Sequence, residues 1–175
     1  MPYSSDEGKQ FILGYFADES VSSVLDVGVG SGTYRRLLDP DHIAKWTGVE
    51  IWAPYISQFG LDKLYDEMIV SDAYYLDWTM VGYPDLTILG DVLEHMPRDR
   101  ARMVLRKAVH RSKYVIVSIP IIHYPQGAEF GNKWETHETT WTHEMVMQEL
   151  LDGYEVLSYN TGQVVGTYII SGTQR

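Results

Sequence analysis

The 175-residue chain contains no cysteine, which excludes disulfides, thiolate nucleophiles and cysteine-ligated zinc. It is also short of positive charge: 14 lysines and arginines stand against 24 acidic residues, for a formal net charge of -10. Long-range attraction to phosphate backbones is therefore missing. We expect no nucleic-acid partner, and a small molecule or a basic protein patch fits the sign better. No segment approaches about 18 uninterrupted apolar residues, and Met1 to Gln10 is polar, without a signal-like apolar run. We accordingly expect no membrane partner and a cytoplasmic protein. Internal repeats, low-complexity tracts and linkers are absent too. With 45% hydrophobic side chains, residues 1–175 are expected to form one domain with a sizeable core.

What the chain does have is organised around Val24-Leu25-Asp26-Val27-Gly28-Val29-Gly30-Ser31-Gly32-Thr33. A β-branched and leucine run ending in an acid reads as a buried strand, and three glycines at alternate positions give a tight turn with no side chain over the backbone. Ser31 and Thr33 can cap a helix starting near Thr33, so the turn is expected to offer free N–H groups and a positive helix end to a ligand.

Around this turn strands and helices alternate. Helices are expected over Ser5–Asp18, from Thr33 to a stop at Pro40, over Ala53–Leu61, briefly over Tyr74–Met80, over Arg98–Arg111, and for about ten residues after Thr142. Strands are expected at Ser23–Asp26, Lys45–Glu50, Glu67–Ser71, Asp85–Leu89 and Tyr114–Ile119. A terminal hairpin, Tyr154–Tyr159 with Val164–Ile170, is expected to turn at Asn160-Thr161-Gly162. The fold expected is α/β: a doubly wound, seven-stranded, mostly parallel sheet with an antiparallel C-terminal hairpin, in three layers α/β/α. Residues 121–140 lack periodicity and are rich in His, Gly, Glu and aromatics, which suggests a functional loop.

Ligands of such sheets bind beyond the carboxyl ends of the strands, where strand order reverses. Those ends carry Asp26, Glu50, Asp72-Ala73 and Gly90-Asp91. Acids in that number suit a ligand bearing hydroxyls, amino groups and positive charge better than a polyphosphate. Glu50, 22 residues beyond Gly28, is spaced to hydrogen-bond both hydroxyls of a ribose.

The sequence resembles the class I S-adenosylmethionine-dependent methyltransferases in several motifs that agree in order. Asp26-Val27-Gly28-Val29-Gly30-Ser31-Gly32 is similar to the family's first motif, Glu50 to its ribose-binding acid, Ser71-Asp72-Ala73 to its adenine-contacting motif, and Asp85 to Met96 to its fourth motif. The resemblance implies that Asp26, Gly28, Gly30, Gly32, Glu50, Ile51, Asp72, Ala73, Gly90 and Asp91 bind S-adenosyl-L-methionine. The segment Pro125 to Trp141 resembles a Pro-Gln-Gly…Gly-Asn…Glu-x-His…Trp stretch of a group of small free-standing methyltransferases. The Asn/Asp-Pro-Pro-Tyr/Phe signature of base amino-methylation is lacking after the fourth strand. A methyltransferase acting on an oxygen or nitrogen of a small-molecule acceptor is therefore implied.

Because the sulfonium methyl is already activated, such a protein mainly orients acceptor and donor and excludes water. A hydroxyl or ammonium acceptor also needs a general base, for which histidine is best tuned near neutral pH. His95, His123 and His137 are the candidates, and the catalytic assignment goes to His123 and His137, in the loop expected to cover the acceptor together with the N-terminal helix. Trp52, Tyr124, Trp134 and Trp141 can line the site or meet the sulfonium. His123, Glu129, His137, Glu138 and His143 bear metal-type ligands, but at no spacing of a defined site, and no metal is expected. Two other readings stand beside this one. A nicotinamide-dependent oxidoreductase would share Gly28-x-Gly30 and the second-strand acid, but needs glycine or alanine where Thr33 stands. A non-catalytic scaffold would have its acceptor side filled by Trp134 and Trp141.

Overall fold

In the computed structural model, which describes residues 5–38 and 43–173, five apolar segments form parallel strands: β1 (Ser23–Val27), β2 (Lys45–Glu50), β3 (Glu67–Val70), β4 (Leu86–Gly90) and β5 (Tyr114–Pro120). β6 (Val156–Thr161) and β7 (Val165–Ser171) complete one seven-stranded sheet in the order β3-β2-β1-β4-β5-β7-β6, with β7 antiparallel to both neighbours. The strand order reverses between β1 and β4. At their amino ends, the Asp85 carboxylate accepts hydrogen bonds from the Ser22 and Ser23 backbone N–H groups at 2.8 and 3.1 Å, which fixes where the two strands start side by side.

Strands buried on both faces must be apolar on both faces. On one, Leu25, Val27, Leu89, Val115 and Val117 pack against Ala101, Val104, Leu105 and Ala108 of α4 (Arg98–Arg111), the helix whose spacing announced it. On the other, Val24, Leu86, Ile88 and Ile116 meet Ile12 of α1 (Lys9–Phe16), Tyr34 of α2 (Thr33–Leu37) and Tyr55 of α3 (Pro54–Phe59). Each such aliphatic side chain contributes about 1.5–3 kcal/mol by leaving water. No helix among the described residues is long and apolar enough to cross a membrane.

Several local expectations are corrected. Residues 74–80 form turns and no helix. The Asp72 carboxylate accepts from Tyr74 N–H at 2.8 Å and that of Asp77 from Thr79 N–H at 3.0 Å, bonds that compete with helical ones. The segment after Thr142 is α-helical only over α5 (His143–Met145) and continues as one π-helical turn, Val146–Leu150. The hairpin turns two residues later than expected, at 162–164, because the Glu7 carboxylate accepts from Gln163, Val164 and Val165 N–H at 3.2, 2.9 and 2.7 Å. α1 begins at Lys9, after Gly8 in a left-handed conformation, so the Ser5 start is not realised. Pro40, expected to stop the second helix, lies outside the described residues.

Candidate functional site

A cleft enclosing about 1040 Å³ of empty space, part of it open to solvent, lies at the carboxyl ends of β1, β2 and β4. Its wall includes Gly28 and Gly30 after β1, Glu50 and Ile51 at the end of β2, Asp72 and Ala73 after β3, and Gly90 and Asp91 at the end of β4. Of the residues the first motifs nominated, Asp26 and Gly32 are off the wall. Gly32 (φ 79°) is a packing position, since a Cβ there would lie 2.7 Å from Leu64 Cδ2. Asp26 points beneath the turn, buried, and accepts from the Tyr65 hydroxyl at 2.6 Å. Burial pushes its carboxyl up to about 7, against the opposing effects of that hydrogen bond and of the Lys9 charge.

The glycine turn is built for close approach. Gly28 has φ 71°, and a Cβ there would meet Val92 Cγ2 at 2.4 Å; one on Gly90 would meet Tyr34 Cε2 at 2.1 Å. Asp91, a residue type that tolerates the left-handed region, has φ 55° and continues the ladder with its N–H on Ser118 C=O at 2.8 Å. The expected free N–H groups are not found at the glycines. Gly28 and Val29 N–H both bond Val49 C=O at 2.8 and 3.3 Å, Gly32 N–H bonds Val29 C=O at 2.7 Å, and Gly30 N–H bonds a Glu50 oxygen at 3.0 Å. Nor does a side chain cap α2; Gly32 holds the cap position. The glycines thus form a shaped surface whose own N–H groups are internally satisfied. The other Glu50 oxygen accepts from Trp52 N–H at 2.8 Å, and burial raises this carboxyl despite both bonds.

The opposite wall comes from the loop between β5 and α5. Asn132, Trp134, Glu135 and Glu138 line the cleft with His95. Tyr55 O–H donates to Glu135 Oε1 at 2.9 Å and Gln126 Nε2 to the Glu135 carbonyl at 2.7 Å, so the loop is fastened to α3. Burial first, and Glu135 with it, raise the Tyr55 hydroxyl to about 12. Glu138 and Thr139 N–H bond the Glu94 carbonyl at 2.9 and 3.0 Å, setting His137 against His95 with ring centroids 4.8 Å apart. Burial lowers both imidazoles, His95 to about 4.

The nominated histidines part company here. His137 touches His95, which lines the cleft. His123 is exposed and off the wall, its Nδ1 3.4 Å from Thr140 Oγ1. Trp134 lines the cleft, whereas Trp141 is fully buried in the core. α1 places no residue on the wall, although its buried Lys9 reaches beneath the site with Nζ 3.9 Å from the Tyr34 ring centroid. Of the five residues with metal-type ligands, His143 is turned to the Tyr168 hydroxyl at 2.8 Å. A different group converges instead: Glu94, His95 and His137. Nothing in the spacing ties Glu94-His95 to a histidine in a loop beyond β5; only the Glu94 backbone contacts bring them together.

No family model and no curated protein matches the chain in sequence. Its backbone does match solved structures. The methyltransferase domain of bacterial CtHen1-C has a TM-score of 0.70 at 17% identity, over 95% of this chain and 97% of that one. The N-methyltransferase NodS from Bradyrhizobium japonicum WM9, in complex with S-adenosyl-L-homocysteine, has a TM-score of 0.69 at 13% identity, over 97% and 87%. The chain has the class I methyltransferase fold. Magnesium protoporphyrin IX methyltransferase (ChlM) from Synechocystis PCC 6803, with bound S-adenosyl-L-homocysteine, is similar at a TM-score of 0.68 and 14% identity, over 95% and 83%. In this methyltransferase fold the antiparallel β7 stands beside β5, where the dinucleotide-binding order 3-2-1-4-5-6 places its sixth strand.

Proposed function

We propose that the chain is a one-domain S-adenosyl-L-methionine-dependent methyltransferase that moves the methyl group to an oxygen or nitrogen of a small molecule. The observation that carries this reading is the cleft at the β1/β4 switch point, walled by four strand ends in the fold of the methyltransferases above. NodS and ChlM both carry S-adenosyl-L-homocysteine, the demethylated product of that cofactor. Glu50 is the ribose acid: its two oxygens accept from the Gly30 and Trp52 N–H groups and keep lone-pair capacity for a hydroxyl. Gly28, Gly30 and Gly90 let the ligand lie on the backbone, Asp72 and Ala73 flank the adenine, and Asp91 borders the methionine end. Asp26 and Gly32 act from behind, by holding the turn.

The acceptor enters between this floor and the loop carrying Trp134 and Glu135. Trp134 leaves the cleft open and Trp141 belongs to the core, so the filled acceptor side expected of a scaffold has no counterpart among the described residues. A net charge of -10 favours a small acceptor over a polyanion. Of the histidines nominated as base, the position of His137 against His95 favours it over His123. Calorimetric titration with S-adenosyl-L-methionine and S-adenosyl-L-homocysteine tests the reading. One site is expected, weakened about 10- to 100-fold in Glu50→Gln, the loss of hydrogen bonds to a charged acceptor. No binding at millimolar cofactor would refute it.

A further inference from the structure

We infer that Glu94, His95 and His137 hold one divalent first-row transition-metal ion at the side of the cleft. One ligand atom from each lies within 4.8 Å of the others. Donors about 2.1 Å from an ion are at most about 4.2 Å apart, so rotamer shifts of under about 1 Å close the group around it. No local spacing carries this set, since His137 comes from beyond β5.

Two independent features point to a cation there. Glu94 is 1% exposed, and neither carboxylate oxygen has a hydrogen-bond partner on any other described residue. A carboxylate out of water with no partner beyond its own backbone N–H is costly, and a cation is the ligand that relieves it. The two imidazoles are also held as metal ligands are held. Nδ1 of His95 lies 3.1 Å from the Thr136 carbonyl oxygen and Nδ1 of His137 2.6 Å from that of Tyr124. A carbonyl only accepts, so each Nδ1 carries the hydrogen and each Nε2 keeps its lone pair for an ion. One carboxylate with two imidazoles suits Mn(II), Fe(II), Co(II) or Zn(II) better than the all-oxygen preference of Mg(II) or Ca(II).

Three protein ligands leave open positions, and His95 lines the cleft. The consequence rests on the methyltransferase reading. An acceptor hydroxyl bound to the ion gives up its proton to solvent. Its oxygen then forms the C–O bond as the methyl–sulfur bond breaks, the C–S electron pair stays on sulfur as a neutral thioether, and the metal keeps its charge. His137 thereby serves as a ligand in place of a free base.

The test uses the tag-free full chain, stripped with chelator and titrated with Co(II), Mn(II) and Mg(II), with S-adenosyl-L-homocysteine binding measured in parallel. One equivalent of Co(II) with ligand-field absorption bands is expected, Mn(II) competing and Mg(II) not. Glu94→Gln and His137→Ala should weaken Co(II) at least about 100-fold, beyond the loss typical of outer-shell changes, while leaving homocysteine-nucleoside affinity within about twofold. Metal-free Glu94→Gln should melt at or above metal-free wild type, because it removes an unpartnered buried carboxylate; loss of metal is then not loss of fold. Equal Co(II) binding by wild type and both variants, or none by wild type, overturns the inference. Co(II) bound without the nucleoside would instead count against the methyltransferase reading alone.

Discussion

Replacing Asp26 with asparagine should flatten the pH dependence of stability. Asp26 is 1% exposed and its carboxyl rises from 3.8 to about 7, chiefly through burial. The folded chain therefore holds a proton that the unfolded chain has released across that interval. The stabilisation of the protonated form is complete below about pH 4 and is lost as pH climbs through about 7. At ~1.4 kcal/mol per pH unit, the gap between 3.8 and about 7 is worth about 4 kcal/mol. Roughly 3 kcal/mol of it falls between pH 5 and pH 8. Asparagine cannot ionise, and its amide oxygen still accepts the Tyr65 hydroxyl. Urea unfolding of wild type and Asp26→Asn at pH 5 and pH 8, without added ligand or metal, reads the difference, since the other titrating groups cancel between the two proteins. Wild type should lose roughly 3 kcal/mol more than the variant over that range. Equal losses would show that Asp26 is ionised in the folded chain across the whole range, and the reasoning about its burial would fall.

Gly28→Ala places a side chain at φ 71° and 2.4 Å from Val92 Cγ2. The backbone alone costs about 1–2 kcal/mol, and S-adenosyl-L-homocysteine affinity should fall at least about tenfold by calorimetry; unchanged affinity would mean that the ligand does not lie on this turn. Tyr55→Phe removes the 2.9 Å donor to Glu135 and should loosen the loop by about 1–3 kcal/mol, seen as faster amide hydrogen exchange over residues 126–135 with α4 unchanged. Glu7, held below 4.5 by the Val165 and Val164 N–H groups first and Gln163 last, stabilises above that value and loses the effect as pH falls through the lower folded one. Glu7→Gln should therefore bring the melting temperatures at pH 7 and pH 3 closer together by about 3 °C, and an unchanged interval would exclude its role in fixing the hairpin.

The strands and α4 were legible in the sequence because their cause is local: apolar runs of strand length, and Ala101, Val104, Leu105 and Ala108 at helical spacing. The acids at the strand ends were legible for the same reason, the topology rule converting their order into one place. One expectation failed where a side chain reached across the chain, another where local bonds competed with a helix. Glu7 moves the hairpin turn from 156 residues away, a relation no local pattern carries. Asp72 and Asp77 bind the backbone two residues on and unmake the helix expected over 74–80, a local signal present in those aspartates. The N–H groups of the three glycines are consumed by Val49, Glu50 and Val29, so these residues offer shape where the motif alone suggested donors. Lys9, Tyr55 and Tyr65 support the site from buried positions on the helix side of the sheet, and as ordinary core-facing residues they carried no sequence signal.

The insertion of β7 between β5 and β6 also governs how the chain is made. On the ribosome, β1 to β5 emerge in an order that lets each parallel strand find its neighbour as its crossover is completed. β5, with Val115, Ile116, Val117 and Ile119 wholly buried in the finished sheet, has one edge open until residues 165–171 are synthesised. For the time it takes to translate the cleft-covering loop, α5 and β6, the nascent protein carries an unpaired apolar edge in mid-sheet, the kind of surface that recruits chaperones or a second chain. The loop that completes the cleft is thus translated while that edge is still open.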